Sequence, residues 1–179
     1  MTKTYKMTIA GCVRELEMFP VSDSLDIAAF IIFGDTELTV KGSEALLKKV
    51  PEFDVILTPE AKSIPIAYEM ARQSEKPYVV ARKGVKVYMR NPVSVTVNSI
   101  TTQKEQKLFL GETEVNKIRG KRVLIVDDVI STGESLSAVR ELLVAAGAIE
   151  AAACAFLAEG DAADRTDIIF LEKLPLFFK

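Results

Sequence analysis

The most informative residues of the chain lie between Val123 and Ser135. This segment has four apolar residues, then two acids, then two more apolar residues, and it ends with Ser-Thr-Gly-Glu-Ser. The apolar residues predict a buried strand, and the polar run predicts a turn into a helix. A helix N-terminus presents backbone N–H groups to anions, and Ser131, Thr132 and Ser135 carry hydroxyl donors suited to a phosphate. The segment therefore predicts a phosphate-binding turn, in which Gly133 lets the backbone approach the ligand closely.

Two adjacent carboxylates, Asp127 and Asp128, stand directly before this turn. A phosphate alone gives them no partner, but carboxylates accept hydrogen bonds from the vicinal hydroxyls of a sugar and suit Mg²⁺ or its water ligands. In the plainer alternative the acids only end a strand and the hydroxyls only cap a helix. No Gly-Lys-Ser/Thr follows the glycine, and no Rossmann fingerprint is present, so neither of those nucleotide-binding motifs applies. A ligand with ribose, phosphate and a metal ion fits best.

The order of these residues resembles the signature of the type I phosphoribosyltransferases. From about Asp54 to the last residue the chain most resembles the members that use adenine, and the resemblance is weak before Asp54. The resemblance implies that 5-phosphoribosyl-1-pyrophosphate (PRPP) binds here and that a purine ring nitrogen displaces pyrophosphate from ribose C1. Asp127 and Asp128 would hold the ribose hydroxyls and, through water, Mg²⁺. Residues 131–135, with Glu134 among them, would hold the 5′-phosphate.

A second segment, Pro-Glu-Ala-Lys-Ser at 59–63, resembles the pyrophosphate loop of the same family. The resemblance implies substrate contacts from Glu60, Ala61, Lys62 and Ser63. Read without the family, the segment is an exposed polar turn after a strand.

Two cations, Arg82 and Lys83, follow the next predicted strand and resemble the Arg-Lys pair of the purine-using members. Two positive charges at the end of a strand suit a pyrophosphate. Lys62 and Arg82 would then stabilise the leaving group electrostatically, which makes them candidate catalytic residues. A solvated basic turn is the alternative interpretation.

The polar stretch between residues 85 and 107 corresponds to a mobile loop of the family. That loop closes over the reacting pair and excludes water from it. The resemblance implies that Lys86 contacts substrate and that Glu105 is catalytic. The Ser-Tyr pair of the adenine enzymes is missing, and the chain has Val-Asn-Ser-Ile at residues 97–100.

Two features favour adenine as the acceptor. Ser131 stands where the hypoxanthine-guanine enzymes have an Asp, and Pro-Leu-Phe-Phe at 175–178 resembles the ending of the adenine enzymes. Phe19 or Phe30 would supply an apolar wall for the purine ring. Xanthine or another purine is the alternative, because residues 99–104 faintly resemble the loop of bacterial xanthine enzymes. A non-catalytic PRPP-binding regulator is an alternative of another class.

These residues need a scaffold, and the chain alternates apolar strands with helices. The predicted strands are 53–58, 77–81, 94–97, 107–110, 122–126 and 151–157, and the predicted helices are 64–74 and 134–146. This order predicts an α/β fold with a parallel sheet and helices on both faces, the type I phosphoribosyltransferase fold. We expect a small N-terminal hood at residues 1–40 and a core domain at residues 41–179.

Composition narrows the functional classes. The 179 residues include 23 basic and 25 acidic side chains and no histidine. The missing histidine excludes Ser-His-Asp and Cys-His nucleophile systems, and the charge balance gives no sign of nucleic-acid binding. No apolar run approaches the ~20 residues of a membrane span. Two cysteines without a CxxC spacing and no recognisable signal peptide predict a cytoplasmic protein, and the family resemblance implies a homodimer.

Overall fold

The computed structural model describes residues 3–97 and 106–179. Along the chain its strands are β1 (Thr4–Ile9), β2 (Cys12–Ser22), β3 (Leu25–Ala28), β4 (Val55–Pro59), β5 (Tyr78–Ala81), β6 (Val93–Val97), β7 (Gln106–Leu110), β8 (Arg122–Ile130), β9 (Ile149–Glu159), β10 (Ile169–Leu174) and β11 (Phe177–Phe178). Its helices are α1 (Thr36–Leu47), α2 (Ile64–Ser74), α3 (Glu112–Ile118) and α4 (Glu134–Ala146), and a 3-10 helix spans Gly160–Asp164.

Five of the strands form a sheet in the order β10-β9-β8-β4-β5. Every neighbouring pair in this sheet is parallel. Strand β4 is buried along its whole length, and β8 is buried from Val123 to Val126. Strands buried on both faces read as unbroken apolar runs, which is why the sequence predicts them well. The predicted α/β fold with a parallel sheet is confirmed.

Helices cover both faces of the sheet. On one face Leu46 of α1 shares a core with Phe156 of β9, and on the other Leu142 of α4 shares a core with Ile125 of β8. Helix α1 lies very close to the sheet because Gly42 faces the ring of Phe156, where an added Cβ would overlap ring atoms.

The bounds of α2 and α4 agree with the predicted helices. Strand β8 is longer than predicted, because its ladder with β9 continues to the pair Ile130–Ala158. The two acids are therefore part of a paired strand and do not follow it. Strands β6 and β7 pair antiparallel and stay outside the parallel sheet, since residues 98–105 are too few for the crossover that a parallel pair needs.

Strands β1, β2, β3 and β11 form a four-stranded antiparallel sheet, which we call the hood sheet. Arg14 of β2 fastens it to the core by donating to Asp35 from Nε at 2.6 Å and from Nη2 at 2.9 Å. Asp35 also accepts from the backbone N–H of Leu38 at 3.1 Å and so caps α1. The division into residues 1–40 and 41–179 stays a prediction, and residue 40 lies within α1.

None of the helices within residues 3–97 and 106–179 is long and apolar enough to cross a membrane.

Candidate active site

A cavity of about 300 Å³ opens at the carboxyl ends of β4 and β8. Ligands of open α/β sheets bind at this edge. The predicted site residues that line the cavity are Glu60, Ala61, Lys62, Ser63, Lys83, Asp127, Asp128 and Ser135. The fold thus brings together side chains from three segments that are distant in the sequence.

Asp128 lies at the base of this cavity and is 4% exposed. Lys62 Nζ lies 2.9 Å from its Oδ2 atom. The contact is an ion pair without hydrogen-bond geometry, so this buried oxygen accepts no hydrogen bond within the described part of the chain. A buried acceptor without a donor is costly, and a ligand with hydroxyl groups would supply the donor.

Asp127 is half-buried beside it, and its Oδ1 accepts from the backbone N–H of Asp128 at 2.9 Å. Loss of solvent, followed by the charge of Asp128, raises the pKa of Asp127 to about 8, and Lys62 opposes the shift. Two adjacent carboxylates repel each other when both are ionised, so one of them keeps a proton more readily than an isolated acid does. A cation or several hydroxyl donors at this point would favour the doubly ionised pair.

The turn after β4 is held by its own hydroxyl groups. Thr58 Oγ1 donates to Ser63 Oγ at 2.7 Å, and Ser63 Oγ donates to the carbonyl of Pro59 at 3.2 Å. The peptide bond between Glu60 and Ala61 is cis. Ser63 is almost fully buried, so its hydroxyl shapes the turn, whereas Lys62 extends into solvent at the cavity mouth.

Glu60 joins this turn to the basic turn after β5. Its Oε2 atom accepts from the backbone N–H of Lys83 at 2.9 Å and lies 3.2 Å from Arg82 Nε. Lys83 lines the cavity, whereas Arg82 does not. Arg82 instead donates from Nη1 to the hydroxyl of Tyr88 at 3.1 Å. The backbone N–H of Lys83 is the main reason that the pKa of Glu60 is lowered. Lys86 is half-buried and does not line the cavity.

Residues 131–133 form the turn between β8 and α4. Gly133 has φ 84°, a left-handed conformation that side chains disfavour, and it leaves α4 without a side-chain N-cap. The hydroxyl of Thr132 lies 3.5 Å from the backbone nitrogen of Glu134. The uncapped helix start faces the cavity through Ser135, an arrangement that suits an anion.

Arg165 was not anticipated from the sequence. Its Nη1 atom lies against Gly133, where a Cβ would stand. Its Nε and Nη2 atoms donate to Asp167 at 2.9 and 2.7 Å, and Arg140 of α4 also donates to Asp167 at 2.7 Å. The turn between β8 and α4 is thus contacted by the guanidinium group of a residue more than thirty positions later in the chain. No local sequence motif predicts this contact.

A second cavity of about 280 Å³ lies beneath the hood sheet and shares Lys62 and Val129 with the first. Its walls are mostly apolar. They consist of Ile27, Ala28, Ala29, Phe30, Ile31 and Leu174, with Ser131 and Glu159 as further polar residues. Phe30 lines this cavity and Phe19 does not. Both rings line another cavity together with Arg14, and the role of either ring as a wall for a purine stays a prediction. Sequence reasoning missed Glu159 and Leu174.

Mg²⁺ prefers oxygen ligands and usually keeps water and substrate phosphates around it. Within residues 3–97 and 106–179 no group of three or more His, Cys, Asp or Glu side chains is arranged to hold a metal ion. Asp127 and Asp128 offer two carboxylates, one with an oxygen that accepts no hydrogen bond. This donor set fits a metal ion carried by a phosphorylated substrate and does not form a metal cage of its own. Glu105 and residues 99–104 lie outside the described residues.

This geometry agrees with the comparisons with known proteins. A family model of the phosphoribosyl transferase domain matches residues 35–174. The chain belongs to this family. A hypoxanthine/guanine phosphoribosyltransferase of Methanotorris igneus is 32% identical over 136 residues, which cover 75% of this chain and 67% of the relative. One of Methanothrix thermoacetophila is 35% identical over 114 residues, and the match covers 64% of this chain and only 56% of the relative.

Among solved structures, the adenine phosphoribosyltransferase of Thermoanaerobacter pseudethanolicus superposes with a TM-score of 0.72 at 22% identity, covering 89% of this chain and 95% of that one. At this identity the likeness speaks for the fold alone. The resemblance to the type I phosphoribosyltransferase fold, drawn from the residues around Asp127, is therefore confirmed.

Proposed function

We propose that the protein transfers the phosphoribosyl group of PRPP to a purine base, with adenine as the preferred acceptor. One observation carries the proposal: two cavities of different chemistry meet at Lys62 and Val129. The first is charged and ends at an uncapped helix start, which suits a sugar with a phosphate at each end. The second is mostly apolar with few polar groups, which suits a heterocyclic ring.

Each part of PRPP has matching residues in this proposal. Asp127 and Asp128 accept hydrogen bonds from the ribose hydroxyls, and residues 131–135 hold the 5′-phosphate with backbone N–H groups and hydroxyls. Lys62 and Lys83 lie beside the pyrophosphate. As the bond from ribose C1 to the pyrophosphate oxygen breaks and the bond to the purine nitrogen forms, these cations stabilise the negative charge that grows on the leaving group. The proton that the purine nitrogen loses passes to the released pyrophosphate.

Arg82 has a supporting role in this scheme, because its guanidinium group contacts Glu60 and Tyr88 rather than the cavity. Ala61 and Ser63 shape the pyrophosphate turn. Lys86 and Glu105 stay predictions as loop residues. Mg²⁺, when bound with PRPP, would supply positive charge to the pyrophosphate and would be held from the protein side by Asp127 and Asp128 through water.

Hypoxanthine or guanine is the second candidate acceptor, because the two relatives described above carry those bases in their names. Adenine is supported by Ser131, which cannot act as the carboxylate base expected beside a 6-oxopurine, and by the Pro-Leu-Phe-Phe run at 175–178. Homodimer formation stays a prediction from the family resemblance, and a cytoplasmic location stays a prediction from the sequence.

Pyrophosphate release should be measured with PRPP, Mg²⁺ and each of adenine, hypoxanthine, guanine and xanthine. The proposal expects turnover with purines and the highest kcat/KM with adenine. If hypoxanthine, guanine or xanthine exceeds adenine by tenfold in kcat/KM, about 1.4 kcal/mol of transition-state binding, the adenine assignment is wrong and the transfer reaction stands. Tight PRPP binding without turnover of any base would instead favour a PRPP-binding regulator.

A further inference from the structure

Glu159 occupies a position in the apolar cavity that the transfer reaction does not explain. It is the last residue of β9 and pairs with Leu174 of β10 at the carboxyl edge of the sheet. The preceding residue, Ala158, pairs with Ile130, so Glu159 lies beside the start of the Ser131 turn. Glu159 lines the cavity together with Ser131 and Phe30.

The carboxylate of Glu159 is half-buried and has no hydrogen bond or ion pair within residues 3–97 and 106–179. Two other acids near the sheet have partners. Glu150, on the same strand, accepts from Arg140 at 2.8 to 3.1 Å, and Glu60 accepts from Lys83. Lys62, which lines the same cavity, is paired with Asp128. Glu159 therefore presents open acceptor atoms at a cavity whose other walls are mostly apolar.

An ionised carboxylate only accepts hydrogen bonds. Purines differ in whether they donate from their exocyclic positions. Adenine has an amino group at C6, and guanine has one at C2 beside the N1–H group. Hypoxanthine lacks an exocyclic amino group, and xanthine has carbonyl oxygens at both C2 and C6, which a carboxylate repels. A site built around a hydrogen bond rejects an analogue that cannot form it far more strongly than an apolar pocket rejects a change of shape.

We propose that Glu159 is a specificity-determining residue that accepts a hydrogen bond from the exocyclic amino group of the purine acceptor. Aminopurines are then preferred over their oxo counterparts, adenine over hypoxanthine and guanine over xanthine. This inference rests on the proposed function and adds a residue that selects the base. It applies whether adenine or guanine is the better substrate. Most of the walls around Glu159 are apolar, which leaves Ser131 and Lys62 as the other polar side chains at this cavity.

The test compares the full-length protein with its Glu159→Gln variant. The amide keeps the size of the side chain but can donate to a carbonyl oxygen as well as accept. We expect the ratio of kcat/KM for adenine to that for hypoxanthine, and the guanine-to-xanthine ratio, each to fall at least tenfold. The KM for PRPP should stay within twofold of the wild-type value. A structural role alone would lower all four rates together and leave the ratios unchanged.

Glu141→Gln is the matched control, because Glu141 is exposed on α4 and carries the same chemical change away from both cavities. Its ratios should equal those of the wild type. If Glu159→Gln does not fold, as judged by its melting curve, Glu159→Asp supplies the comparison, since the shortened carboxylate should weaken the amino preference without reversing it. Unchanged ratios in a folded Glu159 variant, or a wild-type preference for the oxo bases, would overturn the inference and leave the transfer reaction standing. Absence of turnover with every base would overturn the proposed function itself.

Discussion

The Nη1 atom of Arg165 fills the space that a Cβ atom at Gly133 would need. Asp167 holds the other two nitrogen atoms of that guanidinium group, so Arg165 cannot move away without breaking an ion pair. The turn before α4 therefore depends on glycine for two reasons, its φ of 84° and this contact.

We expect Gly133→Ala to raise the KM for PRPP at least tenfold. The alanine would strain the backbone by roughly 1–2 kcal/mol and would push Arg165 out of place, which distorts the 5′-phosphate site. Gly34→Ala is the matched control, because Gly34 has φ 83° but nothing within 4 Å of the added Cβ. Steady-state kinetics and melting curves of both variants check this. Equal loss of stability with unchanged KM in both would show that only strain matters at Gly133.

PRPP with Mg²⁺ should raise the melting temperature of the protein. A ligand that binds only the native state adds about 2.7 kcal/mol at a hundredfold excess over Kd. The double variant Asp127→Asn plus Asp128→Asn should keep its fold, lose this stabilisation and lose transfer by a factor of at least about 10². Asp23→Asn, an exposed acid of the hood region, is the control. A wild-type melting curve that millimolar PRPP does not shift would contradict any PRPP site in this chain.

Asp127 should make the folded protein less stable as pH rises. Its folded-state pKa is raised, so between its ordinary value of 3.8 and about 8 the folded protein holds a proton that the unfolded chain has lost. The contribution of this group to the free energy of unfolding is present at low pH and is lost as pH rises through that window. Urea unfolding of the wild type and Asp127→Asn at pH 5, 6.5 and 8 tests the sign. The free energy of unfolding of the wild type minus that of the variant should fall as pH rises. If this difference is the same at all three pH values, the raised pKa of Asp127 is refuted.

Gly42→Ala should destabilise the fold although alanine is the better helix former. The gain in helix propensity is about 1 kcal/mol, but the added Cβ would overlap the ring of Phe156, and overpacking costs roughly 1–3 kcal/mol. In a Phe156→Leu background the space opens, so the same substitution should become neutral or stabilising. Denaturant unfolding of the four proteins in this double-mutant cycle measures the coupling. No coupling would mean that α1 moves away from β9 at little cost.

The turn between β8 and α4 could be predicted from the sequence because its residues are close together in the chain. A buried strand, two acids, a glycine and hydroxyl groups follow one another within residues 123–135. The Pro-Glu-Ala-Lys-Ser turn at 59–63 is also formed by consecutive residues. Helix α2 was predictable with its bounds for a similar reason, since Pro65 stands in its first turn and polar residues follow Ser74.

Other parts of the site depend on contacts that no local pattern reveals. A glutamate at the end of a strand is an ordinary exposed residue until the sheet order places β9 beside β8 and brings Glu159 next to Ser131. Arg165 reaches Gly133 through the fold in the same way. Helix α1 escaped prediction because its buried face consists of small as well as large residues, Gly42 and Ser43 between Leu38 and Leu46, which weakens the helical pattern of apolar residues.

The neighbouring positions of β4 and β8 in the sheet also constrain how the protein folds. Asp54, just before β4, and Arg122, at the start of β8, are joined by hydrogen bonds although 68 residues separate them. Closing so long a loop costs entropy before any contact repays it, so proteins dominated by such pairings fold slowly. Until β8 arrives, the apolar edge of β4 is an unpaired strand open to association with other chains. Refolding should therefore become less efficient as protein concentration rises, with the turn at 59–63 forming early and Asp127 and Asp128 joining it late.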